Sequence, residues 1–347
     1  MQKKKVTLKE IAERTGVSLG TVHRAIYGKS GVSEETRARI MEEVVRTNYQ
    51  IDEAASVLKR RAKKVVVVLP KAHKEDRFYF RGIWKGIQDA AQNMDQYKIY
   101  YDFVESDYPL SQIWRELERV YDEKLDEIDG LITMADSEKA NIWIGRFAKR
   151  GVFTVLLSSY YDEKSSMVSC IKADHARCGI LAAEFMDYGI RKEKGKILTF
   201  CGDEHIYSNR VYASNFEEKM KEYGYDLIKV EGFGSDEIEK KSREILQREN
   251  IQGIFMCNAR NTYCICKLVD ELNIDRDFLI LGTDVYEELI PYFEKGILNA
   301  VICQFHWDQG TQAVLKMHKY LSRGIQEQED HVMPPVLLMK SNVECFL

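Results

Sequence analysis

From residue 65 onwards, short apolar segments alternate with segments of helical periodicity. The apolar segments are rich in Val, Ile and Leu and have the length of buried strands. Alternation of this kind is typical of parallel sheets with helices on both faces, so it predicts an α/β body. The predicted strands are 65–69, 99–104, 128–133, 152–157, 168–171, 196–201, 226–230, 253–257, 278–281 and 300–303, and the predicted helices between them include 79–94, 111–124, 137–149, 175–188 and 208–223.

The number of strands predicts how this body is divided. A chain of 347 residues is too long for one typical core, and the strand–helix unit recurs almost unchanged along it. We therefore predict two similar lobes, each a doubly wound parallel sheet. Ligands of such folds bind outside the carboxyl ends of the strands, so a cleft lined by loops from both lobes is the predicted binding site.

A different pattern fills the first fifty residues. Residues 7–26 predict two short helices joined by a turn at Gly16, whose freedom to adopt positive φ ends the first helix. Thr7 and Glu10 have the spacing of a capping box, and Ser18 can cap the second helix. Helix pairs of this kind, helix-turn-helix units, place the second helix in the major groove of DNA.

A third helix completes a small all-helical headpiece. It begins after Ser33, and its predicted apolar face is Ile40, Val44 and Val45. The predicted domains are a headpiece at 1–50, a short hinge helix with a cationic linker at 51–64, and the two-lobed body at 65–347.

The charge of the chain is divided in the same way. The overall net charge is −4, but residues 1–64 hold fifteen Lys and Arg against eight Asp and Glu, a net of +7. The remainder of the chain therefore carries −11. A basic headpiece on an acidic body indicates nucleic-acid binding at one end of the molecule.

Composition argues against several other classes of protein. With 45% hydrophobic and 31% charged residues, the chain is neither disordered nor a membrane protein, and no signal peptide is expected. The eight cysteines lack zinc-ligand spacing and are expected to be reduced thiols of a cytoplasmic protein. We find no phosphate-binding loop, nucleophile elbow or metal cluster, so we expect no enzyme activity, no cofactor and no metal.

Several motifs together resemble the lactose-repressor (LacI-type) family of bacterial transcription regulators. They are Gly16-Val17-Ser18, Thr21-Val22-x-Arg24, residues 31–37 (Gly-Val-Ser-Glu-Glu-Thr-Arg), Tyr49 and Leu58. The resemblance implies a body like the periplasmic sugar-binding proteins. It also implies a repressor of carbohydrate-use genes that binds a pseudo-palindromic DNA operator as a homodimer or tetramer, under allosteric control by a small sugar-like effector. Whether the effector induces or co-represses is left open.

The family pattern assigns roles to residues of the headpiece. Leu19 and Gly20 lie where its main base-contacting side chains lie, and Leu19 can contact only a thymine methyl group. His23 and Arg24 are expected to contact bases or phosphates, although His23 could simply be solvated and Arg24 could pack against an acidic neighbour. The remaining expected contacts are phosphate binding by Thr7, Ser18 and Thr21 and wedging of Leu58 into the minor groove.

The same resemblance assigns an effector site in the body. The aromatic wall for a sugar ring is Tyr79 and Phe80, with helix-face packing as the alternative for either. The polar contacts are Asp174, for which N-capping is an equal alternative, Arg210, Asn258, Asp284 and Gln304. A solute-binding protein of a sugar transporter is the alternative function, but it would not explain residues 1–58.

Overall fold

The computed structural model describes residues 6–26, 30–47, 49, 61–135, 137–161, 165–190, 194–232, 235–274, 278–325 and 329–347. The predicted hinge helix and Leu58 lie outside the described residues. Among the helices that are described, none is long and apolar enough to cross a membrane.

The headpiece contains three helices, as predicted. They are α1 (Leu8–Thr15), α2 (Leu19–Ile26) and α3 (Glu34–Arg46). The capping box is confirmed, because the Thr7 backbone N–H donates to Glu10 Oε2 at 2.8 Å and the Glu10 N–H donates to Thr7 Oγ1 at 3.3 Å. Gly16 ends α1 with a φ of 66°, in the left-handed region.

The core of the headpiece differs from the prediction on α3. Its buried members are Ile11, Ala12, Val22, Ala25 and Ile40. Val45 was predicted to join them, but it is 77% exposed, whereas Glu43, on the opposite side of α3, is buried. The Glu43 carboxylate is paired with Arg46 at 2.6 Å and with Arg14 of α1 at 3.3 Å. An ion pair between α1 and α3 therefore closes this side of the core, and hydrophobic periodicity does not report such a pair.

The body contains twelve strands and nine helices within the described residues. The strands are β1 (Lys63–Pro70), β2 (Ile99–Ser106), β3 (Gly130–Thr133), β4 (Phe153–Leu157), β5 (Val168–Ala173), β6 (Lys196–Gly202), β7 (Asp226–Glu231), β8 (Ile251–Met256), β9 (Leu279–Thr283), β10 (Ala300–Cys303), β11 (His331–Met333) and β12 (Val336–Met339). The helices are α4 (Arg77–Ala91), α5 (Trp114–Lys124), α6 (Glu138–Lys149), α7 (His175–Gly189), α8 (Tyr207–Glu222), α9 (Ser235–Arg248), α10 (Ala259–Leu272), α11 (Ile290–Glu294) and α12 (His306–Arg323).

These strands form two six-stranded sheets, which confirms the predicted fold class. Lobe 1 has the order β11-β5-β4-β3-β1-β2, with all neighbours parallel. Lobe 2 has the order β12-β10-β9-β8-β6-β7, in which β12 runs antiparallel to β10. All ten predicted strands are present. Strands β11 and β12 were missed because each has only three or four residues and lies at a sheet edge.

The chain passes between the lobes three times. It leaves lobe 1 after β5 to form α7, returns from β10 to α12, and leaves again between β11 and β12. Helix α7 packs into the core of lobe 2, and α12 packs into the core of lobe 1. Lobe 1 is therefore completed by α12, which follows the β10 strand of lobe 2, and lobe 2 contains α7, which follows the β5 strand of lobe 1.

Helices α4 and α12 approach closely because each has glycine at the contact. A Cβ atom on Gly86 would lie 2.0 Å from the Trp307 carbonyl oxygen, and one on Gly310 would lie 2.4 Å from the Ile83 carbonyl oxygen. Backbone meets backbone at both points, so rotamer changes cannot create room there.

We expect Gly86→Ala to lower the free energy of unfolding of the body by about 3 kcal/mol, because the helices must separate. The control is Gln88→Ala, an exposed position of the same helix, which should change it by less than about 0.5 kcal/mol. Urea unfolding followed by circular dichroism measures both. Equal effects of the two substitutions would contradict the close packing of α4 on α12.

Candidate functional site

The outward face of α2 carries the residues that were predicted to contact DNA. Leu19 is 51% exposed, Gly20 and Arg24 are exposed, and Thr21 and His23 are half-buried. Inward-facing Val22 and Ala25 anchor the opposite side of α2 in the headpiece core, so the helix presents these five residues as one surface.

Hydrogen bonds fix both ends of α2. The Thr21 N–H donates to Ser18 Oγ at 3.1 Å, and the Ser18 and Thr21 hydroxyl oxygens are 2.9 Å apart, so Ser18 acts as the helix cap. At the other end, Arg37 of α3 donates to the Ala25 carbonyl oxygen at 2.7 Å. The Arg24 Nε donates to the Gly20 carbonyl oxygen at 3.3 Å, which lays its guanidinium along the exposed face.

A cavity of about 250 Å³ lies between the two lobes of the body. Its lining from lobe 1 is Asp76, Tyr79, Phe80, Pro109, Leu110, Ser111 and Met134, and its lining from lobe 2 is Asp203, Ile206, Ser208, Asn209, Asn258, Ala259 and Arg260. A recess of about 40 Å³ shares several of these residues and continues to Tyr212, Cys257, Asp284 and Gln304.

Five of the predicted effector residues meet in this cleft. Phe80 lines the larger cavity, Asp284 and Gln304 line the recess, and Tyr79 and Asn258 line both. Asp284 and Gln304 directly follow β9 and β10, and Asn258 is the second residue after β8. They converge because the carboxyl ends of parallel strands lie at one edge of a sheet.

The structure places the other two predicted effector residues outside the lining of both spaces. Asp174 caps α7, accepting from the Arg177 N–H at 3.0 Å, which is the alternative role that the sequence allowed. Arg210 is exposed, and its guanidinium donates to the Glu204 carbonyl oxygen at 3.0 Å.

Two cleft residues were missed by sequence analysis. Asn209 is buried and lines both spaces, on the face of α8 that also holds Ser208 and Tyr212. The helical repeat of about 3.6 residues turns position 210 away when 209 and 212 face inward, but the packing of α8 on lobe 2 decides which of these positions faces the cleft. The other is Arg260, whose guanidinium pairs across the cleft with the Asp76 carboxylate of lobe 1, and no local signal predicted that pair.

The recess ends in a buried polar network at a passage between the lobes. Asp284, at a φ of 65°, accepts from the Gln304 backbone N–H at 3.0 Å and from Gln304 Nε2 at 3.3 Å. His306, the first residue of α12, has Nε2 3.2 Å from Asp284 Oδ2, although the two atoms lack the alignment of a hydrogen bond. Gln309 continues the network, donating to the Gln304 carbonyl oxygen at 2.8 Å and accepting from Ser158 of lobe 1 at 2.7 Å.

Burial keeps the ionisable groups of this network neutral. It raises the pKa of Asp284 to about 8 and lowers the pKa of His306 to about 3. The neighbouring His175, at the start of α7, has its pKa lowered to about 4, first by burial and then by Lys172. A protonated carboxyl beside a neutral imidazole avoids placing two charges in a medium of low dielectric constant.

These shifts predict a stability optimum near pH 6.5. The folded state holds a proton on Asp284 that the unfolded state loses, so this contribution falls as the pH rises to about 8. The two histidines act in the opposite sense, because their neutral folded forms cost stability once the pH falls below 6.5.

We expect Asp284→Asn to remove the alkaline decline. Relative to this variant, the wild-type free energy of unfolding should fall by about 2 kcal/mol between pH 6.5 and pH 8. Urea unfolding at a series of pH values measures the difference. Parallel pH profiles for wild type and variant would show that Asp284 is ionised in the folded state.

A cluster of possible metal ligands lies in lobe 2. Cys201, Glu204 and Glu217 bring their ligand atoms within 4.8 Å of one another. The Lys229 ammonium, however, pairs with Glu204 and lies 3.3 Å from a Glu217 oxygen. The Lys229 ammonium thus already pairs with both carboxylates of this cluster.

The helical headpiece and the two-lobed body define a class of protein in which a helix-turn-helix is joined to a ligand-binding fold. Residues 7–52 match the family described as "Bacterial regulatory proteins, lacI family", and residues 65–325 match "Periplasmic binding protein domain". The headpiece is therefore a domain of the lacI family of bacterial regulatory proteins, and the body belongs to the periplasmic binding protein domain family.

Individual relatives agree with this assignment. The chain is 28% identical to the HTH-type transcriptional regulator pepR1 of Lactobacillus delbrueckii subsp. lactis over 63% of this chain and 62% of that protein. It is 27% identical to catabolite control protein A of Streptococcus mutans over 94% of this chain and 95% of that protein. The structure of a putative LacI transcriptional regulator from Bacteroides fragilis superimposes with a TM-score of 0.72 at 15% identity, covering 83% of this chain and 100% of that one, which shows a shared fold.

Proposed function

We propose that this protein is a sequence-specific DNA-binding transcription regulator, acting as a repressor, whose operator affinity is controlled by a small sugar-like effector. The observation that carries the proposal is the presence, in one chain, of an exposed recognition surface on α2 and a cavity that both lobes line. The α2 surface alone would explain DNA binding but not its control, and the cavity alone would explain ligand binding but not an action on DNA.

The headpiece supports the DNA-binding role through shape and charge. Thr7, Ser18, Leu19, Gly20, Thr21, His23 and Arg24 are the proposed DNA contacts, and Leu58 stays a prediction. Leu19 and Gly20 offer no hydrogen bond from a side chain to a base edge, so Arg24, His23 and DNA shape must carry much of the sequence specificity. A homodimer would place two such helices in successive major grooves of a pseudo-palindrome.

The body supports the regulatory role because its cavity is shared between lobes. A ligand that contacts both lobes stabilises one arrangement of them over others, and this differential affinity can change how the headpieces are presented. The proposed effector contacts are Tyr79, Phe80, Asn209, Asn258, Asp284 and Gln304, with Arg260 at the cleft.

A solute-binding protein of a transporter is the weaker alternative. The body has that fold, but a transport function would not explain why residues 7–52 match bacterial regulatory proteins. We accordingly propose a cytoplasmic location, where the protein meets DNA, and a binding function without catalysis.

DNA binding is tested by selecting operator fragments from random duplexes and measuring affinity against salt concentration. We expect Arg24→Ala to weaken binding to the selected site by roughly ten- to a hundredfold, since a good base-edge contact is worth about 1–3 kcal/mol. The control is Arg150→Ala, an exposed arginine of the acidic body, which should leave affinity unchanged. Selection that yields no preferred sequence would overturn the proposal.

The effector site is tested by two adjacent substitutions. A thermal-shift screen of monosaccharides, disaccharides and polyols first identifies a ligand of the full chain. Asn209→Ala should weaken its binding by at least about tenfold in calorimetry, because a buried hydrogen-bonding group is lost. Arg210→Ala, one residue further along α8, should bind like wild type. The reverse result would restore the sequence-based assignment of Arg210.

A further inference from the structure

The two walls of the cavity differ in chemistry. Lobe 2 contributes mainly polar side chains, namely Asp203, Ser208, Asn209, Asn258 and Arg260. Lobe 1 contributes mainly carbon, in the form of Tyr79, Phe80, Pro109, Leu110 and Met134. A ligand held between the lobes therefore meets hydrogen-bonding groups on one side and an apolar surface on the other.

This difference is seen in the residues near the carboxyl ends of the strands that reach the cavity. In lobe 2 the residues that follow β8, β9 and β10 are Asn258, Asp284 and Gln304. In lobe 1 the residue after β3 is Met134, which is 2% exposed and belongs to the lobe 1 core. The segment after β2 brings Leu110 to the cavity. The polar residues that directly follow β4 and β5, Ser158 and Asp174, do not line the cavity, so they do not offset the aliphatic side chains of Met134 and Leu110.

The polar groups of the lobe 1 wall do little to change this. The Asp76 carboxylate is paired with Arg260, and Ser111 is exposed. The Tyr79 ring packs edge-on against Phe80 and against His306, with centroids 5.0 and 4.2 Å away. Ligand hydroxyls that face Phe80, Leu110 and Met134 would lose water without gaining a partner, and each such loss costs affinity.

We infer that the effector is a glycoside carrying an apolar aglycone rather than a free sugar. The inference rests on the proposed function, because it assumes that this cavity is the effector site. The sugar ring lies against Asn209, Asn258 and the Asp284 recess, and the aglycone lies against Phe80, Leu110 and Met134. The cavity and recess together lie near the lower end of the roughly 300–1,000 Å³ that is usual for ligand pockets, which limits the ligand to one sugar ring and one small apolar group.

The experiment compares matched pairs of ligands on the full chain. D-glucose, D-galactose, D-mannose and D-xylose are each titrated beside their phenyl glycosides, of both anomers, by calorimetry. We expect at least one phenyl glycoside to bind about tenfold or more tightly than its free sugar, because a buried apolar ring is worth more than the hydroxyl it replaces. A free sugar that binds as tightly as its glycosides, or the absence of binding by every glycoside, overturns the inference.

A variant locates the aglycone on the lobe 1 wall. Leu110→Asn should reduce the advantage of the glycoside over the free sugar to less than about threefold and leave the affinity for the free sugar nearly unchanged. The control is Leu315→Asn, at a leucine of α12 that is 44% exposed and outside the cavity, which should keep the full advantage. Retention of that advantage in a folded Leu110→Asn variant overturns the placement.

The proposed function can fail separately. If free sugars bind the protein and lower its affinity for operator DNA, and phenyl glycosides bind no more tightly, the proposed function is supported and only the inference of an apolar aglycone fails. If neither sugars nor glycosides bind the chain or change its operator affinity, both fail.

Discussion

The binding cavity of the body depends on one constraint, which is the common direction of the parallel strands in each lobe. In each lobe the parallel strands end at the same sheet edge, and the chain passes between the lobes three times beside those edges. Residues that are far apart in sequence, such as Phe80 and Asn258, therefore line one cavity. Close packing of α4 on α12 at Gly86 and Gly310 supports this arrangement from within lobe 1.

The Asp284 network links the cavity to the passages between the lobes. Its members are Asp284 and Gln304 from the recess, His306 and Gln309 from α12, and Ser158 from lobe 1. A ligand that hydrogen-bonds to Asp284 would compete with Gln304 for the same carboxyl group. Because that group is buried and Gln304 lies two residues before α12, a change in the hydrogen bonds of Asp284 would also change the contacts that hold the start of α12.

Sequence analysis predicted the architecture well where hydrophobic periodicity was strong. Ten strands and the three headpiece helices are present, and cap positions such as Thr7 and Ser33 are where the motif placed them. It was wrong about Val45, which is exposed, while the charged Glu43 is buried and paired with Arg14 and Arg46. It missed β11 and β12, whose few residues are held by pairing with strands distant in sequence.

For the candidate site, the sequence by itself determined which polar residues follow the strands, because a strand end is a local feature. The family resemblance assigned Asn258, Asp284 and Gln304, each of which lies just beyond a predicted strand, and all three line the recess. Only the tertiary structure decided the rest. Whether Asn209 or Arg210 faces the cavity depends on how α8 is rotated against lobe 2, and the pair of Arg260 with Asp76 joins residues 184 positions apart. The difference in chemistry between the two walls is likewise a property of the packed lobes, since it appears only when one faces the other.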